Sequence, residues 1–149
     1  MTKYKLTYDE TRIIVMSLIE LKNQLIKELS TYDREVFAIL NLKSNGQVIN
    51  LNICSVGTLN AFMISPREVF KSSILSNAAA FIAIHNHPSG SPNPSHEDKT
   101  VTKRLAECGK MMDIRMLDHI IVAGESVQMM NFKQDGLMPQ LDRDNGWER

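Results

Sequence analysis

No stretch of the 149 residues approaches the roughly eighteen continuous apolar residues that a membrane-spanning helix needs. The first residues, Met1-Thr2-Lys3-Tyr4-Lys5, lead into no apolar signal core. The chain is therefore expected in the cytoplasm, without a membrane partner. Net charge is lacking too. Seventeen basic and seventeen acidic residues cancel, which leaves no global attraction for nucleic acid or anionic lipid. Cysteine is scarce: Cys54 and Cys108 stand far apart, form no Cys-x-x-Cys, and fit reduced structural thiols better than a disulfide framework. There is no internal repeat. With 43% hydrophobic and 23% charged residues, the chain can bury the core of one globular domain and has no room for a second catalytic one.

What is present concentrates in one place. Ala78-Ala79-Ala80-Phe81-Ile82-Ala83-Ile84 is short, apolar and uninterrupted, as a buried strand would be. His85 and His87 lie at its end. Side chains two apart on a strand share a face, so both imidazoles can converge while Asn86 turns away. Asp98 follows a loop containing Pro88, Gly90, Pro92 and Pro94, which can fold back without regular hydrogen bonding. Two imidazoles and a carboxylate suit a catalytic zinc, which takes three protein ligands and keeps a fourth position open. Such donors also favour zinc over the magnesium or manganese of oxygen-rich two-metal nucleases. Plainer explanations exist for each part. Ser95-His96-Glu97-Asp98 is a helix-start pattern with Ser95 as cap, and two histidines at a strand end can be satisfied core or surface groups. The string taken whole, His-x-His-Pro, six residues, Ser, two residues, Asp, favours the metal.

That string resembles the signature of the JAMM (MPN-plus) metalloprotease superfamily. Arg34-Glu35-Val36-Phe37, Ser55-Val56-Gly57-Thr58-Leu59-Asn60, Pro66-Arg67-Glu68-Val69-Phe70, His85-Asn86-His87-Pro88-Ser89-Gly90 and Leu117-Asp118-His119-Ile120-Ile121-Val122 resemble blocks of its bacterial RadC-like branch, in order. The resemblance runs from about Thr31 to Met138. It implies a cytidine-deaminase-like α/β core and a zinc ion (Zn2+) on His85, His87 and Asp98. It also implies hydrolysis of a peptide or isopeptide bond in a protein or peptide substrate. Glu35 would hold and deprotonate the attacking water, and Ser95 would donate a hydrogen bond to the oxyanion. From the residues alone Glu35 is only a carboxylate at the edge of the strand Val36–Leu42, which a wet strand start accommodates. Many chains of the branch carry an N-terminal helix-hairpin-helix region associated with DNA, whereas here a single expected helix precedes Glu35. The competing function is a catalytically idle zinc-binding interaction module associated with DNA-repair or mobile-element proteins. Deamination is disfavoured, because the paired cysteines that zinc deaminases use are missing.

Two further histidines receive different readings. His119 precedes Ile120-Ile121-Val122, a strand expected beside the one carrying His85. There it either orients a ligand through its second ring nitrogen or is a core histidine satisfied by backbone. His96 is expected to face solvent.

Thr7 and Glu10 offer a capping box before Ile14, Leu18, Leu21, Leu25 and Leu29 at helical spacing. Residues 1–30 are thus expected to form an amphipathic helix packed on the core, with pairing to a second copy as the other use of its apolar stripe. Ser44-Asn45-Gly46 predicts a hairpin turn before Gln47–Ile53. Ser65-Pro66-Arg67-Glu68 starts a helix through Leu75 with a capping box, and a second helix from His96 is expected to end on Gly109 as its left-handed cap. Strands Ile114–Val122 and Val127–Phe132 follow. Residues 31–138 thus predict an α/β domain, a mixed sheet flanked by helices. Residues 139–149 are a polar tail, expected to be mobile or to dock on a partner.

Overall fold

A computed structural model of the chain describes residues 24, 27–29, 34–57, 64–124 and 128–141. β1 (Val36–Leu42) and β2 (Val48–Val56) form a hairpin closed by the turn at 44–46, where Gly46 adopts φ 87° and the Asn45 side chain accepts from the Gln47 amide. Helix α1 (Pro66–Leu75), strand β3 (Ala80–His87), helix α2 (His96–Met112) and strands β4 (Arg115–Ala123) and β5 (Gln128–Asn131) follow. They build one five-stranded sheet in the order β2-β1-β3-β4-β5. Among the described strands, only the β3–β4 pair is parallel. A parallel pair needs a crossover, and α2 supplies it. The mixed α/β architecture is the one expected.

Both faces of the sheet are covered, which is why β1 is buried at every position and β3 from Ala80 to Asn86, instead of alternating between buried and exposed. On one face, Leu40, Leu42, Ile82, Ile84, Ile120 and Val122 pack with Leu29. Residues 27–29 are helical, and Leu29 among them is buried in this cluster. The rest of the expected first helix lies outside the described residues, apart from residue 24, as do the tail from Asp142 onward and Val127. On the other face, Phe37, Ile39, Phe81 and Ala83 meet Val69 and Phe70 of α1 and Val101 and Leu105 of α2. The alternation places His85 on the α2 side of β3, in line with Phe81 and Ala83.

The strand carrying the histidines ends on His87, so both imidazoles sit at its end, as expected. Two expectations need correction. Ser65 caps α1 only by position. Its side chain makes no cap hydrogen bond, and Pro66 at the first helical position starts the helix instead. Gly109 does not end α2, which continues to Met112 and closes on Asp113 in the left-handed region at φ 58°. What requires glycine at 109 is a crossing backbone. A Cβ there would lie 2.5 Å from the Ile114 carbonyl oxygen, where β4 approaches the helix. Gly109→Ala is therefore expected to destabilise. The helix gains about 1 kcal/mol in propensity, but overpacking against main chain costs about 1–3 kcal/mol. A lowered thermal midpoint checks the sign, and a raised one would show that β4 yields freely.

Candidate metal centre

β3 ends beside β1 and β4, at the carboxyl ends of the parallel pair, the edge where open α/β sheets place their ligands. His85 is fully buried there, and the His87 side chain is 12% exposed. The loop after His87 turns back in two steps. Gly90 and Gly124 both donate their amides to the His87 carbonyl, and Gly124, at φ 38°, sits so close to the Gly90 Cα that a side chain would push the loop away. The chain then enters α2 through a capping box. Ser95 Oγ accepts from the Asp98 amide at 3.0 Å, and the Asp98 carboxylate accepts from the Ser95 amide at 2.7 Å. The helix-start and the metal-site readings of Ser95 and Asp98 thus describe one piece of geometry, because the same bond pair that begins the helix aims the carboxylate.

It aims it at the histidines. Asp98 Oδ1 lies 3.2 Å from His85 Nε2, Oδ2 lies 3.1 Å from His87 Nε2, and the two ring nitrogens are 2.8 Å apart. Among the described residues, His85, His87 and Asp98 form the group of donors able to hold a metal ion. Ligands at about 2.0–2.1 Å from a tetrahedral zinc stand roughly 3.3 Å from one another, so the observed triangle needs to open by only a few tenths of an ångström. His87 Nδ1 is 2.9 Å from the Ser91 carbonyl. A carbonyl only accepts, so Nδ1 carries the proton and Nε2 offers its lone pair. The donor set fits a metal.

Charge distribution agrees with this. Burial alone would push the Asp98 carboxyl up, but its close contacts with His85 and His87 outweigh it and hold the group well below the usual carboxylate range. Burial holds the His85 imidazole below its ordinary 6.5 despite Asp98. Burial lowers His87 too, but the bonds to Asp98 and Ser91 prevail and raise it above 6.5. A raised pKa means a proton held more tightly, and a metal must displace that proton. Metal affinity is therefore expected to begin falling above pH 6.5 as the solution is acidified, approaching about tenfold per pH unit. Asp98 stays ionised throughout. Zinc titrations from mildly alkaline to mildly acidic solution check this, and an affinity constant across that window would contradict it.

Glu35 directly precedes β1. Antiparallel pairing sets Phe37 opposite His85, and continuing that register brings Glu35 level with His87 on the same face. Its charge falls on both imidazoles, favouring their protonated forms. Asn86, between the two histidines, does point to the other side, but it is buried and occupied. Its Oδ1 accepts from the Val36 amide at 2.6 Å, and its Nδ2 donates to the Arg34 carbonyl at 2.7 Å. These bonds grip the main chain on either side of Glu35. Ser95 is exposed, as is His96. His119 lies within β4, with Nε2 2.8 Å from His85 Nδ1. Of its two readings, contact with a candidate ligand is therefore the observed one. Its other nitrogen meets Thr102 at 2.6 Å rather than backbone. Sequence reading missed Thr102, although its position one helical turn after Asp98 puts both on one face of α2.

Comparison with known proteins places these observations in a wider group. A model of the RadC-like JAB domain matches residues 15–137. A UPF0758 protein of Desulforamulus reducens is 41% identical over 129 residues, covering 87% of this chain and 56% of the relative. One from Syntrophomonas wolfei is 44% identical over 113 residues, 76% of this chain and 47% of the relative. The UPF0758 protein YsxA of Bacillus subtilis is 36% identical over 130 residues, 87% and 55% respectively. The chain spans about half the length of these curated relatives. Among the described residues, no helix is long and apolar enough to cross a membrane.

Proposed function

The chain belongs to the RadC-like JAB domain family, and on that premise we propose that it is a zinc-dependent hydrolase cleaving a peptide or isopeptide bond in a protein or peptide substrate. One observation carries the reading: three buried or nearly buried donors, His85, His87 and Asp98, converge where the charge of Glu35, the residue before β1, acts on both imidazoles. A zinc ion held by these three residues would supply Lewis acidity, the chemistry that makes water nucleophilic near neutral pH and polarises a carbonyl.

The remaining work belongs to the chain. Glu35 accepts the proton of the attacking water and returns it to the departing amine. Ser95 donates its hydroxyl proton to the oxygen that gains negative charge. The cap uses Ser95 Oγ as an acceptor, so its one proton stays available for that bond. Asp98 is held by the Ser95 amide and His87 by the Ser91 carbonyl, so these ligands arrive already oriented. Cytoplasmic action is part of the same proposal, and the free thiols of Cys54 and Cys108 support it.

The test is metal analysis of the purified protein beside cleavage of a peptide library. One zinc per chain, with cleavage lost on chelation and regained on adding zinc, is the expected result. Zinc bound without cleavage of any library member would replace the hydrolase with a zinc-stabilised binding module. No affinity for zinc would overturn the proposal outright.

A further inference from the structure

Behind His85, on the side away from His87 and Asp98, a second polar chain leads back to the same helix. His119 and Thr102 are both buried. Thr102 Oγ1 lies 2.7 Å from the main-chain carbonyl of Asp98 and 2.6 Å from His119 Nδ1. His119 Nε2 lies 2.8 Å from His85 Nδ1. Contacts this short each need a proton between the heavy atoms. The threonine hydroxyl owns one, and the carbonyl owns none. The Thr102 proton is therefore committed to Asp98, and the 2.6 Å contact must be supplied by a proton on His119 Nδ1. That leaves His119 Nε2 as a lone pair, so His85 must donate from Nδ1. Every bond in the series has one permitted direction.

We infer that Thr102 and His119 are positioning residues that fix His85 as its Nδ1–H tautomer and bare its Nε2 toward His87 and Asp98. The consequence is a triangle of acceptors. With both imidazoles neutral, His87 Nε2 is bared by Ser91 and the Asp98 carboxylate is ionised, so three lone pairs converge at 2.8–3.2 Å and a proton or a metal cation must lie among them. Such a cluster is satisfied by a cation. It also closes a loop: Asp98 contributes a ligand through its carboxylate and, through its carbonyl, the anchor that orients a different ligand. A merely space-filling histidine at 119 would need none of this direction.

The inference concerns the site proposed above to hold zinc, but its first readout needs neither metal nor substrate. Long-range nitrogen–proton correlation spectra of the nitrogen-15-labelled, metal-free protein distinguish the tautomers. His85 and His119 are both expected as Nδ1–H forms, and an Nε2–H form of His85 would overturn the inference. The second readout is zinc affinity by competition with a chelating dye. Thr102→Val removes the hydroxyl at nearly constant volume and is expected to weaken zinc binding by about 10–100-fold. Thr102→Ser restores the hydroxyl and should restore affinity and tautomer together. Should the valine variant fail to fold, the wild-type spectrum and the serine variant still decide. Unchanged affinity and an unchanged His85 tautomer in folded Thr102→Val would sink the relay. A wild-type protein with the expected tautomers but no affinity for zinc would support the relay and end the hydrolase proposal, so the two can fail separately.

Discussion

Glu35→Gln is expected to keep its zinc and lose nearly all cleavage. The amide preserves shape and can still accept a hydrogen bond from water, but it cannot take up a proton, and positioned proton transfer is worth about 10²–10⁴ in rate. The segment stays in place in the variant, because hydrogen bonds to its main chain hold it. Gly57 donates to the Glu35 carbonyl, and Asn86 binds the Val36 amide and the Arg34 carbonyl. None of the three candidate ligands changes. Zinc content and turnover measured on one preparation check the expectation. A variant that retained both zinc and full activity would remove Glu35 from the mechanism.

Asp98→Ala is expected to fail at two levels, and Asp98→Asn to separate them. Alanine removes a metal ligand, strips His87 of the partner that raises its pKa, and leaves the Ser95 amide without its acceptor. Zinc should be lost on dialysis. Loss of half the capping box should also lower stability by about 0.5–2 kcal/mol. Asparagine keeps an oxygen for the Ser95 amide and so recovers most of the cap. It brings no charge to the two imidazoles, and the zinc should still be lost. Thermal unfolding with and without added zinc reads both effects. The wild type should gain stability from the metal and neither variant should. Asparagine supporting wild-type zinc affinity would show that the carboxylate is not needed as a ligand.

Much of the architecture was legible because it rests on local rules. The turn at Ser44-Asn45-Gly46, the uninterrupted apolar runs and the capping pattern at Ser95 each act over a few residues. Spacing also sufficed to bring His85, His87 and Asp98 together, since two share a strand face and the third follows one loop. Three things escaped. Gly109 was taken for a helix end because its local signature is that of a cap, whereas its reason lies in the crossing of Ile114, a tertiary contact. Thr102 was invisible because a buried threonine in a helix looks like filler until its partners in β4 are known. Asn86 was set aside for pointing away from the ligands, and its partners, Arg34 and Val36, lie some fifty residues upstream. Hydrogen bonds between distant segments leave no periodicity to read.

The grip of Asn86 also bears on how fast the site can be switched on. Its two bonds tie the segment around Glu35 to β3 without using any of the three metal ligands. In the proposed enzyme the proton acceptor is therefore at its post before zinc arrives, and loading requires no docking of strands. Activity of the stripped protein should then return as quickly as zinc is delivered, in a single phase whose rate rises with zinc concentration, with no slow conformational step behind it.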